Sequence, residues 1–275
     1  MTTDQQALDE PGFRRLTAKI ARERNFGCAS YKDKCLRRRI AVRMRARGVH
    51  SFDDYARLLD RDAAEYDRLI DALTINVTKL FRNWEVFDAV ARLVIPTLWT
   101  LPAPALRVWS AGASSGEEAY SLAALFHRHA ERAGELHRLA RLQVLGTDID
   151  RGVLAAAERA RFDQQAFTDT PDELRARYFT ADAPATVIPE VKALVRFERR
   201  DLIKEEPPPG EFQLVVCRNV LIYFDRVTQE RLFERFHAAL APGGFLVLGK
   251  VETLLGGARN MFVAVDGRER IFRKL

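Results

Sequence analysis

Apolar residues at Phe13, Leu16 and Ile20, with Phe26 beyond them, recur at helical spacing and predict a first amphipathic helix closed by Gly27. Leu36, Ile40 and Met44 predict a second helix from Lys34 to Arg47, with Gly48 just past its end. Ser51-Phe52-Asp53-Asp54 reads as an N-cap with acids in the first turn, opening a helix through Leu59. Another helix is expected from about Asp62 to Leu73. The β-branched and polar run Thr74-Ile75-Asn76-Val77-Thr78 breaks the pattern, and Trp84 to Leu98 resumes it across Pro96. Leu101-Pro102-Ala103-Pro104 is a stiff linker.

From Leu106 the pattern changes. Short apolar runs start at Leu106, Leu142, Phe212 and Phe245, and helical stretches lie between them, which predicts a parallel α/β sheet. Met261 to Val265 and Arg270 to Arg273, joined around Asp266-Gly267, read as a closing hairpin. Residues 162 to 200 break the rhythm. Tyr178-Phe179, Thr186 to Ile188 and Leu194 to Phe197 look there like short strands of an insertion. The expected organisation is a helical domain over 1–90, a linker over 91–104, and an α/β domain over 105–275 with a small β insertion at about 165–200.

The chain has 275 residues and 47% hydrophobic content, enough for a large core. No window reaches the ~18 uninterrupted apolar residues of a membrane span. The polar, acidic start MTTDQQALDEPGF does not resemble a signal or transit peptide. Three cysteines, Cys28, Cys35 and Cys217, fit a reducing cytoplasm, and their spacing lacks the histidines of a zinc site, so no metal is expected. The net charge of +6 is concentrated: Lys32, Lys34, Arg37, Arg38, Arg39, Arg43, Arg45 and Arg47 face only Asp33 within one segment. That patch points to an acidic partner.

Candidate chemistry gathers at strand ends. Leu106 to Tyr120, LRVWSAGASSGEEAY, reads as strand, small-residue loop and helix start. Glycines let a ligand approach the backbone, and in open α/β sheets ligands bind at the carboxyl ends of strands. The spacing Gly112-x-Ser114-x-Gly116 is closer to the loop of S-adenosylmethionine (SAM) methyltransferases than to a dinucleotide fingerprint. Glu117 and Glu118 would repel a pyrophosphate and suit an ammonium or sulfonium group. A plain structural turn is the competing reading. Asp148, at the second strand end, can accept from ribose hydroxyls, whereas Asp150 is the better cap for the helix that follows. Asp201 can accept from an exocyclic amine, with Leu202 packing on a ring, or be a surface acid. Arg218 and Asn219 crest an apolar strand and need partners. Tyr223 fits either a core or a site.

Taken together, Asn76-x-Thr78-x-x-x-Arg82, VWSAGASSGEEAYS, TDID, CRNVLIYF and APGGFLVLGKVET resemble, in this order and spacing, the chemotaxis receptor methyltransferases of the CheR family. The resemblance implies a Rossmann-like class I SAM-methyltransferase sheet behind an all-helical N-terminal domain. It implies transfer of methyl from SAM to receptor glutamates, giving S-adenosylhomocysteine. Asn76, Thr78, Arg82, Ala111, Gly112, Gly116, Glu117, Asp148, Asp201, Leu202, Arg218 and Asn219 would hold the cofactor, and Arg82 and Tyr223 would flank the methyl. Arg37, Arg38, Arg39, Arg43 and Arg45 would face the acidic methylation helices of a receptor, so the chain would meet a membrane only through that receptor. The family often has Asn where Asp201 stands; both can accept. The stretch Phe179 to Val187 lacks the Gly-rich turn of members that dock on a receptor's C-terminal peptide, so no such tether is expected. A monomer is expected, with no nucleic acid bound. Competing readings are a SAM-binding scaffold without turnover, a nucleic-acid methyltransferase, which Cys217-Arg218-Asn219-Val220 disfavours for want of a proline motif, and an NAD oxidoreductase.

Overall fold

A computed structural model describes residues 9–74 and 76–275. The chain forms two compact units. One comprises the described residues before Asn76 together with Tyr223–Thr228, and the other comprises Asn76–Ile222 with Gln229–Leu275.

Among the described residues before Asn76, the first unit holds four α-helices. In α1, Glu10–Arg24, Asp9 accepts the Gly12 N–H at 3.0 Å, which satisfies one of the free amides of a helix start. The helix ends at Asn25 in the left-handed conformation (φ 51°), two residues before the expected Gly27. Asn can take this conformation because its short polar side chain bonds locally. α2, Asp33–Ala46, buries Leu36, Ile40, Ala41 and Met44, the stripe that the sequence pattern marks. Ser51 caps α3, Phe52–Arg61, by accepting the Asp54 N–H at 3.1 Å, and α4, Ala63–Thr74, follows. The core joins Phe13, Leu16 and Ile20 of α1 to Leu36, Ile40 and Met44 of α2, Tyr55 of α3 and Leu69 of α4.

The second unit starts earlier than the pattern alone suggests. The helical run after residue 76 consists of α5, Trp84–Ala89, a π-helical turn, Val90–Val94, and α6, Ile95–Trp99. Pro96 lacks an N–H and its ring clashes with a carbonyl one turn back in a regular α-helix, and the widened turn just before it relieves both problems. Val86, Phe87, Val90, Val94, Ile95 and Leu98 pack in the same core as Val108 and Leu122. Helical periodicity shows that a residue is buried, not which core buries it, so the expected boundary near 90 differs from the observed division at 75.

The central sheet alternates as expected: β1 Leu106–Ala111, α7 Glu117–Arg132, β2 Leu142–Asp148, α8 Arg151–Arg159. The region after α8 holds β3 Arg161–Phe162, α9 Asp172–Tyr178, β4 Ala185–Thr186 and α10 Pro189–Lys192. Then come β5 Val195–Arg199, β6 Phe212–Cys217, α11 Arg226–Ala239, β7 Leu240–Leu248, β8 Phe262–Asp266 and β9 Ile271–Lys274. The seven strands lie in the order β5-β2-β1-β6-β7-β9-β8. β9 is antiparallel to both β7 and β8, and the other pairs are parallel. β3 and β4 form a separate antiparallel pair.

Two expectations are corrected here. The Leu194–Phe197 run is not part of the insertion: Val195–Arg199 is the edge strand of the main sheet, parallel to β2. An edge strand is half-exposed, so its apolar signal is diluted and it reads as peripheral. Tyr178 ends α9 rather than starting a strand, and Phe179 makes an isolated bridge with Val187. No described helix is long and apolar enough to cross a membrane.

Candidate active site

The sheet reverses direction of winding beside β1, and the loop after β1 sits at the carboxyl ends of β1 and β2. Gly112 (φ 81°) and Gly116 (φ 95°) occupy backbone conformations that other residues rarely adopt. A Cβ on Gly112 would come 2.5 Å from the Val220 side chain, and one on Gly116 would come 2.9 Å from Ala157 and Phe197. The amides of Gly112 and Ala113 both donate to the Thr147 carbonyl, at 2.8 and 2.9 Å. Ala111 is buried at the end of β1. Asp148 accepts the Ser114 N–H at 2.9 Å and the Asp150 N–H at 3.1 Å, so its carboxylate shapes the loop. Asp150, as the sequence suggests, caps α8 by accepting from Gly152 at 2.7 Å, and it also accepts from Asn76 Nδ2 at 2.9 Å. The Ser114 hydroxyl donates to the Asn76 carbonyl at 3.3 Å. Asn76 is thereby held against the glycine loop from 38 residues away.

Glu117 opens α7 and is buried. Its two oxygens accept from the Ser115 hydroxyl at 2.9 and 2.8 Å, and among the described residues no cation pairs with it. Burial pushes its carboxyl above the ordinary carboxylate range. Burial does the same to Asp148, against the pull of the two amides it accepts.

Arg82 lies in a tightly held turn. Phe81 (φ 51°) and Asn83 (φ 58°) flank it in the left-handed region, which is costly for a bulky residue such as Phe. The Phe81 N–H donates to Ser121 Oγ at 2.8 Å. Arg82 Nη1 reaches the Val77 carbonyl at 3.0 Å, and Thr78 is half-buried between them in sequence. Arg218 supplies the floor. It is 7% exposed, it donates from Nη2 to the Arg82 carbonyl at 2.8 Å and to Asn83 Oδ1 at 3.3 Å, and its guanidinium lies 5.1 Å from the Phe87 ring centre.

Two further buried carboxylates complete this region: Glu118, which the sequence reading set beside a ligand cation and which instead meets Arg218, and Glu252, which that reading did not single out. Glu118 pairs with Arg218 at 3.5 Å and accepts from Ser110 Oγ at 2.8 Å. Burial raises its carboxyl while Arg218 pulls it down. Glu252 accepts the amides of Gly249 at 2.7 Å, Asn219 at 3.0 Å and Ile222 at 3.3 Å, tying the end of β7 to the turn after β6. The signal for both was an acid beside an apolar run, in GEEAY and VETLL; nothing in a sequence names the amide it will meet. Asn219 stands at φ 61° with its Oδ1 buried and unbonded. Asp201 is a buried cap and not a surface acid: Oδ1 accepts from Ile203 at 2.9 Å and Lys204 at 3.2 Å. Leu202 is half-buried, its carbonyl accepting from Arg235 at 2.9 Å.

The arrangement fits a cationic, ribose-bearing ligand. The glycine loop leaves no room for side chains, Glu117 is a buried acceptor without a counter-cation, and Asn219 Oδ1 is a buried acceptor without a donor. Among the described residues, no three His, Cys, Asp or Glu side chains are grouped to hold a metal ion.

Comparison with known proteins agrees. Residues 76–271 match the model of the CheR methyltransferase SAM-binding domain, and residues 11–74 match that of the CheR methyltransferase all-alpha domain. The chain belongs to the CheR family. It is 35% identical to a chemotaxis protein methyltransferase of Klebsiella aerogenes, covering 93% of this chain and 88% of that one. It is 32% identical to one from Listeria monocytogenes, over 90% of this chain and 92% of that one. It is also 36% identical to an uncharacterised 104.1 kDa protein of Rhodobacter capsulatus, covering 93% of this chain but only 26% of that much longer one. As a CheR-family chain, this protein is a SAM-dependent methyltransferase.

The helical unit of this CheR-family chain places the basic residues differently from a count along the sequence. Arg37 pairs with Glu10 and stacks 3.8 Å from the Phe13 ring centre. Arg39 Nη1 donates to the Ala72 carbonyl at 2.7 Å, and its guanidinium lies 5.6 Å from the Tyr223 ring centre. Arg43 makes a two-point contact with the fully buried Glu65, at 3.0 and 2.5 Å. Arg47 pairs with Asp62 at 2.8 Å. Three of the five arginines expected to meet a receptor are thus engaged inside the unit, and Arg38 and Arg45 are exposed, as is Lys34. Tyr223 also packs with this unit: its carbonyl accepts the Lys32 N–H at 2.9 Å, and Tyr31 bridges Phe224 with ring centres 4.9 Å apart.

Proposed function

We propose that this chain transfers the methyl group of SAM to glutamate side chains in the cytoplasmic part of chemotaxis-type receptors, producing glutamate methyl esters and S-adenosylhomocysteine. The observation that carries the cofactor assignment is Glu117, a buried carboxylate at the head of α7 that lacks a cation; family membership sets the reaction class. Asn76, Thr78, Arg82, Ala111, Gly112, Gly116, Glu117, Asp148, Asp201, Leu202, Arg218 and Asn219 would hold the cofactor. SAM, when bound, supplies an electrophilic methyl on a positively charged sulfur.

The residues then have a limited task. A glutamate is already ionised at neutral pH, so no general base is needed. Its carboxylate must be held about 3–3.5 Å from the methyl carbon, in line with the bond that breaks. Methyl transfer joins opposite charges into neutral products, so water exclusion helps it. Arg82 orients the incoming carboxylate. Too tight an ion pair would stabilise the ground state equally, so its contribution is positioning. The Tyr223 hydroxyl donates to the second carboxylate oxygen. Arg38 and Arg45 attract the acidic methylation helices. Docking is direct, without a C-terminal peptide tether, because the stretch from Phe179 to Val187 lacks the Gly-rich turn of members that dock on such a peptide.

The test is transfer of radiolabel from methyl-labelled SAM to the cytoplasmic fragment of a receptor from the same cell, with release of volatile methanol under mild base as readout. Base-labile label that is lost in Arg82→Ala and reduced in Tyr223→Phe is the expected result. SAM binding without label on any receptor overturns it in favour of a scaffold, and base-stable label on nucleic acid overturns it in favour of a nucleic-acid enzyme.

A further inference from the structure

We propose that Asp169 is a positioning residue for Arg82, setting its backbone from outside the methyltransferase motifs; the proposal rests on the role given to Arg82 above. The turn that carries Arg82 has an unfavourable shape. The two neighbours of Arg82, Phe81 and Asn83, sit at positive φ without being glycine, and such a turn persists only where its surroundings over-determine it. Beside Ser121 and Arg218, one short segment, Ala166–Thr170, supplies that determination. Asp169 Oδ2 accepts the Asn83 N–H at 2.9 Å, and Oδ1 accepts Lys79 Nζ at 3.3 Å. A single carboxylate therefore spans the turn from three residues before Arg82 to one residue after it. The Thr170 hydroxyl donates to the Leu80 carbonyl at 3.3 Å, and the Leu80 N–H donates to the Ala166 carbonyl at 2.9 Å. The segment is itself anchored, with Phe167 buried in the main core.

Of these contacts, the one to the Asn83 amide bears most directly on Arg82. Asn83 is the residue whose left-handed conformation aims the peptide that follows Arg82, and Arg218 already holds the carbonyl of that peptide. Asp169 holds the N–H of the same peptide. With both ends fixed, that peptide cannot rotate, and the Cα of Arg82 is set. The Asn83 amide is also the foremost cause of the Asp169 carboxyl lying below its ordinary range, with Lys79 adding to it. This segment lies between α8 and α9, in the insertion, so the insertion contributes to the reaction centre as well as to packing.

The experiment compares Asp169→Ala, Asp169→Asn, Arg82→Ala and the double variant Asp169→Ala/Arg82→Ala, measuring kcat and KM for receptor methylation and the Kd for SAM. The proposal expects Asp169→Ala to lower kcat by about 10²-fold, the loss that a misplacement of about 1 Å can cause, with the Kd for SAM rising no more than it does in Arg82→Ala. Asp169→Asn, which keeps an acceptor for the Asn83 amide, should recover most of that loss. In the Arg82→Ala background, removal of Asp169 should cost nothing more, because both act through one side chain. Equal losses in both backgrounds, or a fall in SAM affinity beyond that of Arg82→Ala, would show general loosening and overturn the proposal. Full kcat in Asp169→Ala while Arg82→Ala is inactive overturns it alone; full kcat in Arg82→Ala overturns the role of Arg82 first. Should Asp169→Ala not fold, Asp169→Glu decides. Its acceptor is displaced by one methylene, and a kcat drop of about tenfold with SAM binding retained is expected, whereas unchanged kcat overturns the proposal.

Discussion

Glu117 has its charge in a place that disfavours it. Burial raises its carboxyl above the ordinary value of 4.5, and the Ser115 hydroxyl offsets only part of that. Between the ordinary and the raised value, the folded unliganded protein therefore holds a proton that the unfolded chain would release. In that window stability falls as pH rises, and above it the cost of the buried charge is present in full. A cation placed beside Glu117 reverses the balance by favouring the ionised form. Binding of SAM through its ammonium group must then release a proton, and affinity must rise with pH until the raised value is passed. Calorimetric titration in buffers of different ionisation enthalpy reads this directly. Proton release on binding, and SAM affinity that weakens as pH falls through the raised value, are expected, both abolished in Glu117→Gln, which should bind more weakly throughout. A Kd that does not change with pH would place the cofactor's cation elsewhere. Asp148 shares the raised direction but is bonded to the Ser114 and Asp150 amides, so its replacement should disturb the glycine loop as well as the ligand.

At the scale of elements, α2 shows what a sequence can and cannot disclose. Its inner face was legible, because Leu36, Ile40 and Met44 repeat at helical spacing and all are buried. Its outer face was not. The eight basic residues read as one naked patch, yet Glu10, Asp62 and Glu65 are brought to them from other helices, 15 to 27 residues away. Charge counted along a chain ignores such neighbours. The Arg43–Glu65 contact is thereby structural: Glu65 also accepts from the Tyr55 hydroxyl at 2.7 Å, and its own amide donates to Asp62 at 2.9 Å. Glu65→Ala should destabilise the helical unit by about 3 kcal/mol, since it strands a partly buried guanidinium and a buried phenol, seen as a lowered denaturant midpoint with the kcat of the folded protein little changed. A midpoint within experimental error of the parent would show that the network contributes nothing net. The same limit explains the sheet. Central strands β1 and β6 were legible as apolar runs, whereas β5 was misplaced because an edge strand buries less. In the candidate site, motif order singled out Arg82, Glu117 and Asn219, but the acids that hold the backbone at Asn219 and just after Arg82, Glu252 and Asp169, are recognisable only by the amides they meet in space.

For the molecule as a whole, the proposed encounter with a receptor rests on the charge that remains exposed. The chain carries +6, and Lys34, Arg38 and Arg45 stand exposed on α2, with no acid among the described residues paired to the two arginines. Long-range attraction between such a surface and an acidic helix raises the encounter rate and is screened by salt over about 8–10 Å at physiological strength. SAM is small, with a net charge near +1, and the residues proposed to hold it include the buried Glu117, Asp201 and Arg218, so salt should affect its binding little. The two substrates therefore separate experimentally. Raising ionic strength from about 0.05 to 0.3 M should lower kcat/KM for receptor methylation several-fold through KM, while the Kd for SAM stays nearly constant. Replacing Arg38 and Arg45 by Ala should raise KM at low salt and flatten the salt response, since the charges being screened are gone, and should leave kcat at saturating receptor intact. Replacing Arg39 instead should leave the salt response in place, because its guanidinium is engaged with the Ala72 carbonyl and the Tyr223 ring. Were the Arg39 variant to flatten the salt response and the Arg38/Arg45 variant not, the receptor would be read by the inner face of α2, and the division of labour along this helix would have to be reversed.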